Sequence, residues 1–207
     1  MLELVRSGGW LLLPILVCSL VAIAIFIERC WVLRTSRVAP ASLLREVDDR
    51  IRKHGFVDNK LLTEFEKRPL GIILAAGLRK SEFGIEATKS AMEQAASQVT
   101  IELERYLTAL GTVASISPLL GLLGTVIGMI QVFTTLVASG GGDPTLLAGG
   151  ISQALITTAF GISVAIVALA CHRYFLRRVD KLVVLLEQQA GSLVDLLVKG
   201  LHTETEE

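Results

Sequence analysis

The chain has 207 residues, of which 52% are hydrophobic and only 19% are charged. Its 20 basic and 20 acidic side chains balance, so no net charge favours a nucleic-acid partner. Long stretches contain no Asp, Glu, Lys or Arg: 21 residues between Arg6 and Glu28, 37 between Arg105 and Asp143, and 29 between Asp143 and Arg173. A membrane-spanning helix needs about 20 mostly apolar residues, so each stretch can hold one span. This pattern excludes an ordinary soluble enzyme.

The stretches predict an all-α, polytopic membrane protein with three transmembrane helices, its N-terminus outside and long helices extending into the cytoplasm. The orientation follows from the basic residues, because 19 of the 20 lie in 28–107 and 173–207 and cytoplasmic segments are rich in Lys and Arg. The first apolar run is longer than the core of a signal peptide, about 7–15 residues, so we expect an uncleaved anchor. In chain order we expect a short periplasmic N-terminus at 1–9, transmembrane helix 1 at 10–27, a cytoplasmic helical region at 28–107, transmembrane helix 2 at 108–138, a periplasmic loop at 139–147, transmembrane helix 3 at 148–172 and a cytoplasmic helical tail at 173–207.

The sequence of the cytoplasmic region, 28–107, predicts three helices. The first covers about 40–54, and the second covers 58–68 and is stopped by Pro69. The third covers 86–107, and no glycine or proline separates it from the second span before Gly111. We therefore expect one continuous helix from this region into the second span, and likewise a third span that continues into the tail.

Small residues mark one face of the second span. Gly121, Gly124 and Gly128 permit close approach of a neighbouring helix, and the last two form a G-x-x-x-G pair. Pro118 removes a backbone donor and is expected to bend the helix and free a carbonyl. Taken alone, this pattern indicates helix packing.

Polar side chains interrupt the third span at Ser152, Gln153, Thr157 and Thr158. A hydroxyl within a span is commonly satisfied by a carbonyl of its own helix, which is a purely structural interpretation. At 1.5 Å per residue, however, Thr158 and Thr125 of the second span differ in depth by about one helical turn. Two hydroxyls at similar depth would form a polar ring if the chain oligomerised around an axis.

The second and third spans contain no Asp, Glu, Lys or Arg. A proton route through a membrane normally uses an ionisable side chain, and a threonine hydroxyl does not hold a proton at ordinary pH. A proton channel built from this chain would therefore need a partner that supplies the titrating group. There is no Walker motif and no H-E-x-x-H, and His54, His172 and His202 are scattered, which argues against a metal site or an acid-base site. We therefore expect no enzyme and no cofactor.

Two motifs in these spans resemble those of the MotA/TolQ/ExbB proton channel family. The string from Gly121 to Gly128, followed by Phe133, is similar to the signature of its second span. The string from Ile151 to Ala159, followed by Gly161, is similar to the signature of its third span. Three spans with a large insert after the first resemble the ExbB/TolQ branch more than the four-span flagellar branch.

The resemblance implies a homopentamer in the bacterial cytoplasmic (inner) membrane whose second and third spans line a pore. That pore would enclose a dimeric ExbD/TolR-like partner that carries the proton on an aspartate and drives a TonB- or TolA-like protein. Thr125 and Thr158 match the threonines of the ion path, and Thr157 is adjacent. The candidate pore-lining or partner-contacting residues are Gln153, Ser152 and Pro118, and the candidate helix-packing residues are Gly121, Gly124, Gly128 and Gly161.

The chain departs from its relatives at two positions. Gln153 stands where some ExbB proteins have glutamate, and Val167 stands where many relatives have proline. Two other functions remain open: a passive membrane scaffold without ion conduction, and a subunit of a secondary transporter. The transporter is disfavoured because the three spans show neither an internal repeat nor broken helices near the midplane. The choice between ExbB-like and TolQ-like service also stays open.

Overall fold

A computed structural model describes residues 10–54, 59–138 and 144–204, and every regular element within these ranges is a helix. The all-α class expected from the sequence is therefore confirmed. In chain order the elements are α1 Leu12–Val32, α2 Thr35–Val38, α3 Ala41–His54, α4 Asn59–Phe65, α5 Pro69–Lys80, a 3-10 turn Ser81–Phe83, α6 Ile85–Glu104, α7 Leu107–Ala138 and α8 Pro144–Glu204.

Three helical stretches in these ranges are long and apolar enough to cross a membrane. They are Leu12–Val32, Ile85–Val137 and Leu147–Val198, whose most apolar windows have mean hydropathies of 2.2, 2.0 and 2.3. Large apolar side chains on these stretches are exposed in the isolated chain, among them Leu20 and Leu155. Such surfaces need lipid or further protein around them, in agreement with the three predicted spans.

The chain divides into two compact units. The first contains 10–28, 106–138 and 144–174, and therefore most of α1, all of α7 and the first half of α8. The second contains 29–54, 59–105 and 175–204. Its buried side chains come from the end of α1, from α2 to α6 and from the second half of α8, and include Arg29, Val38, Val47, Phe65, Leu74, Leu103 and Phe175.

The predicted continuous helix from residue 86 into the second span is wrong at one point. α6 ends at Glu104, α7 begins at Leu107, and Tyr106 between them has a φ of 63°. This left-handed conformation is uncommon for a residue other than glycine. No glycine or proline, the usual signals of a helix break, lies at this point, so the sequence pattern does not reveal the break.

Two arginines cap helix ends within the second unit. Arg29, only 2% exposed, donates from Nη1 to the carbonyl oxygen of Leu103 over 3.0 Å, at the end of α6. Arg178 of α8 donates to the carbonyl oxygen of Leu33 over 3.3 Å and to Oγ1 of Thr35 over 2.9 Å, just beyond the end of α1. The last carbonyls of a helix lack helical donors and carry partial negative charge, so a guanidinium stabilises them.

Pro69 begins a helix as well as following one. α4 ends at Phe65 rather than at the predicted Arg68, and Pro69 is the first residue of α5, where its missing N–H costs nothing. A Cβ at Gly71 would overlap the Phe65 carbonyl, so the close turn between the two helices requires glycine there. Asp58, the predicted start of this segment, lies outside the described residues.

The predicted continuation of the third span into the tail is confirmed, because α8 is a single helix over 61 residues. Its first turn includes Pro144–Leu147, which were predicted to belong to the loop at 139–147, while 139–143 lie outside the described residues. The helix predicted over about 40–54 is also present, as α3.

Replacement by alanine is expected to have opposite effects on stability at two glycines of the second unit. A Cβ at either Gly84 or Gly191 would meet no atom within 4 Å, so only the backbone decides the outcome. Gly84 has φ 96° and ψ 170°, and Gly84→Ala is expected to destabilise the chain by about 1–3 kcal/mol. Gly191 is inside α8, and Gly191→Ala is expected to stabilise it by up to about 1 kcal/mol. Midpoints of thermal unfolding measured side by side check this, and equal shifts in one direction would contradict it.

Candidate functional site

Small residues of α7 and α8 form a close antiparallel contact within the first unit, which we call the seam. A Cβ at Gly128 would lie 2.8 Å from the Cβ of Ala154, and a Cβ at Gly124 would overlap the side chain of Thr157. A Cβ at Gly121 would lie 3.0 Å from the Cα of Thr158. Each of these α7 glycines therefore leaves room for one residue of α8.

Gly161 makes the closest backbone approach along the seam. A Cβ there would lie 2.5 Å from the carbonyl oxygen of Ser117 and 3.0 Å from the Cα of Gly121. These neighbours are backbone atoms of a helix, so they cannot rotate away as a side chain could. The separation of the two helices at this level is consequently set by the absence of a side chain at position 161.

The two adjacent threonines of α8 have different hydrogen-bond partners. Thr158 donates its hydroxyl across the seam to the carbonyl oxygen of Gly121 over 2.7 Å and is partly exposed. Thr157 is 2% exposed and donates within its own helix to the carbonyl oxygens of Ala154 (2.8 Å) and Gln153 (3.2 Å). Of these two threonines, only Thr158 thus combines a bond between the helices with partial exposure of the residue.

The third candidate hydroxyl of the ion path, Thr125, is half-buried on α7. It donates to the carbonyl oxygen of Leu122 over 2.7 Å, within its own helix. Thr125 follows Gly121 by four residues, so its hydroxyl lies about one helical turn from the level of Thr158. The structure therefore places Thr157 and Thr158 at the seam. Thr125 donates its hydroxyl within α7 and forms no hydrogen bond to α8 among the described residues.

Ser117, the residue before Pro118, places its backbone carbonyl at the seam. α7 continues as a helix through Pro118, which has no N–H to donate to the carbonyl of Ala114. Ser117 is completely buried and donates to the carbonyl oxygen of Val113 over 2.7 Å. Its own carbonyl oxygen is the atom that faces Gly161.

A small cavity of about 20 Å³ lies beside Thr157. This volume is enough for a single water molecule, and Gln131, Gln153 and Thr157 supply polar atoms around it. The remaining lining residues are Trp10, Leu11, Gly124, Ile127 and Gly128. Gln153 is among the candidates predicted from the sequence and Gln131 is not, although a glutamine in an apolar span was a usable signal. Ser152, in contrast, is exposed on α8.

The seam lacks charge over the described parts of both helices up to residue 172. No Asp, Glu, Lys or Arg occurs in 107–138 or in 144–172. Between Gly121 and Gly128 of α7 and between Ser152 and Gly161 of α8, the seam therefore offers hydroxyl, amide and backbone groups, which donate and accept hydrogen bonds without holding a proton. It is suited to orient a carboxyl group or a water molecule, not to titrate.

The sequence is similar to a known protein family over the part that contains the seam. Residues 65–188 match the MotA/TolQ/ExbB proton channel family. The chain is 34% identical over 170 residues to the putative biopolymer transport protein ExbB-like 1 of Synechocystis sp., covering 81% of this chain and 67% of that protein. It is 29% identical over 207 residues to the biopolymer transport protein exbB1 of Vibrio cholerae, covering 96% and 89%.

The chain is also similar to a protein of the Tol-Pal system. The chain is 35% identical over 120 residues to the Tol-Pal system protein TolQ of Haemophilus influenzae, covering 58% of this chain and 51% of that protein. It thus spans about half of this relative, about two thirds of the Synechocystis protein and most of the Vibrio protein. With three apolar helices and a family match over more than half of its length, the chain belongs to the MotA/TolQ/ExbB proton channel family, in its ExbB/TolQ-like branch.

Proposed function

We propose that this chain is the stator subunit of a proton-driven motor in the bacterial inner membrane. In this proposal five copies surround the spans of an ExbD/TolR-like dimer, whose aspartate carries the proton. The complex converts proton motive force into work on a TonB- or TolA-like protein that reaches across the envelope. Lipid surrounds the ring, and the chain has no enzymatic role.

The observation that carries the proposal is the hydroxyl of Thr158 in a seam without charge. The family is named for proton channels, yet 107–138 and 144–172 contain no carboxylate or amine that could carry a proton. Thr158 is partly exposed, and its oxygen can accept a hydrogen bond while its proton is donated to Gly121. Such a group fits a carboxyl group that another chain brings.

The bond between Thr158 and Gly121 supports a two-state role for the hydroxyl. A protonated carboxyl group of the partner donates to Oγ1 of Thr158, which keeps its bond to the Gly121 carbonyl. When the carboxyl group is charged, the hydroxyl rotates and donates to it instead. Thr125 assists from about one turn away. The membrane potential supplies about 2.3 kcal/mol per charge for each 100 mV, which exceeds the net worth of an ordinary hydrogen bond.

Proton flux into liposomes tests this proposal. The purified chain is reconstituted alone, with its ExbD/TolR-like partner, and with a partner whose membrane aspartate is replaced by asparagine. A potassium diffusion potential drives the flux, and a pH-sensitive dye inside the vesicles reports it. We expect flux only with the unmodified partner. Flux from the chain alone would contradict the need for a foreign carboxylate.

A passive scaffold is the second candidate function. It is favoured by one observation, that the hydroxyls of Thr125, Thr157 and Thr158 all donate to carbonyl oxygens of this chain. A scaffold needs only the packing of the seam. It predicts no flux with either partner, and equal function of variants that lack these hydroxyls but assemble normally.

A further inference from the structure

His172 lies against the seam at the end opposite to the Gly128 contact. Its ring packs on Gly111 of α7: a Cβ at Gly111 would lie 3.0 Å from Nε2 and 3.4 Å from both Cδ2 and Cε1. Contacts that short require the neighbour to move, so the imidazole lies where it does because position 111 has no side chain. His172 is half-buried, so this chain leaves part of the residue uncovered.

The same face of α8 carries Thr157 and His172. Residues 157, 161, 165, 168 and 172 follow one another at intervals of three or four, the spacing of a single helix face. All of them except His172 are buried. The histidine therefore ends the stripe that forms the seam, about 21 Å along the helix from Thr158 at 1.5 Å per residue.

Among the described residues of the first unit, His172 carries the one imidazole. An imidazole takes up and releases protons near neutral pH, which hydroxyl and guanidinium groups do not. Within the part of the chain that the structure describes, no hydrogen bond engages either ring nitrogen. α7, packed against the ring, presents Gly111 and no titratable side chain after Tyr106. The other titratable or charged groups of the unit are Cys18, Glu28, Tyr106, Cys171, Arg173 and Tyr174.

We propose that His172 is the proton-relay residue at the cytoplasmic mouth of the seam. The inference rests on the proposed function, because it concerns the exit of the same proton. Water carries the proton from the partner's carboxyl group to one ring nitrogen, where an N–H bond forms. The N–H bond at the other nitrogen then breaks, and its proton passes to cytoplasmic water. The ring ends neutral, with its proton on the nitrogen that accepted it.

Chemical rescue tests this role. The His172→Ala subunit is assembled with its partner in liposomes, and flux is measured with and without imidazole on the side that corresponds to the cytoplasm. We expect flux to fall by roughly 100-fold or more and imidazole to restore most of it. Pyrazole, which has the same shape but is far less basic, is expected to have no effect. Cys171→Ser serves as the matched control and is expected to retain wild-type flux.

Each outcome bears on the relay separately from the proposed function. Absence of flux in the wild-type complex would overturn the proposed function itself. Wild-type flux in an assembled His172→Ala complex, or a loss that imidazole does not restore, would overturn the relay alone. If the alanine variant does not assemble, His172→Gln keeps the volume and polarity of the side chain without its basicity. A normal flux in that variant would equally overturn the relay.

Discussion

Replacing Gly161 by alanine is expected to destabilise the packing of α7 on α8 by about 2 kcal/mol or more. The new methyl group would lie 2.5 Å from the carbonyl oxygen of Ser117 and 3.0 Å from the Cα of Gly121, inside the van der Waals distance of both. Backbone atoms of a helix relieve such overlap only if the helices separate, and overpacking of this kind typically costs about 1–3 kcal/mol. The midpoint of thermal unfolding of the detergent-solubilised chain measures the effect.

Gly149 provides a matched control on the same helix. A Cβ there would meet no atom within 4 Å, so Gly149→Ala is expected to leave stability unchanged or to raise it slightly. Both variants add one methyl group to α8, and only the contact with α7 distinguishes them. Equal unfolding midpoints for the two would contradict the close approach at Gly161. A bulky residue at Gly124 is expected to disturb the seam as well, since it would overlap Thr157.

Replacing Thr158 by valine is expected to lower proton flux through the assembled complex by roughly 10- to 150-fold. Valine has the shape of threonine but lacks its hydroxyl, and a hydrogen bond to a charged group is worth about 1.5–3 kcal/mol, which corresponds to that loss of rate. Assembly is expected to survive, because the carbonyl of Gly121 belongs to a continuous helix and loses only its additional donor. Flux in liposomes and the mass of the purified complex measure the two effects.

Two controls separate the hydroxyl of Thr158 from hydroxyls in general. Thr158→Ser keeps the donor and is expected to retain most of the flux. Ser163→Ala removes an exposed hydroxyl that donates to Ala159 of its own helix, over 2.7 Å, and is expected to behave as wild type. Wild-type flux in an assembled Thr158→Val complex would refute the assigned role. Thr125→Val is expected to show a smaller loss, because that hydroxyl bonds within α7.

The spans and the long tail helix could be predicted from the sequence because their signals are local. Runs of 29 and 37 residues without charge leave few alternatives to membrane-spanning helices, and the tail repeats apolar residues at helical spacing. The break at Tyr106 could not be predicted in this way. It involves a residue of ordinary helix propensity, and the nearby end of α6 is capped by Arg29, more than 70 residues earlier in the chain.

The candidate site was predictable in its residue types but not in its contacts. The glycines and threonines stand out in apolar spans, yet the sequence does not show that Thr158 donates to α7 while Thr157 bonds within α8. The three histidines are far apart in sequence, so the pattern does not single out His172, whereas its ring packs on Gly111, 61 residues away along the chain. Both the hydrogen bond of Thr158 and the packing of His172 depend on contacts between segments that are distant in sequence.

Native mass spectrometry of the complex, purified after co-expression with the ExbD/TolR-like partner, tests the central claim most directly. The proposed motor requires that this chain forms the ring and that the partner supplies the missing carboxylate. We expect a single species that contains five copies of this chain and two of the partner, and that keeps this mass in the Thr158→Val variant. An oligomer of this chain that excludes the partner would contradict the motor and would favour the scaffold.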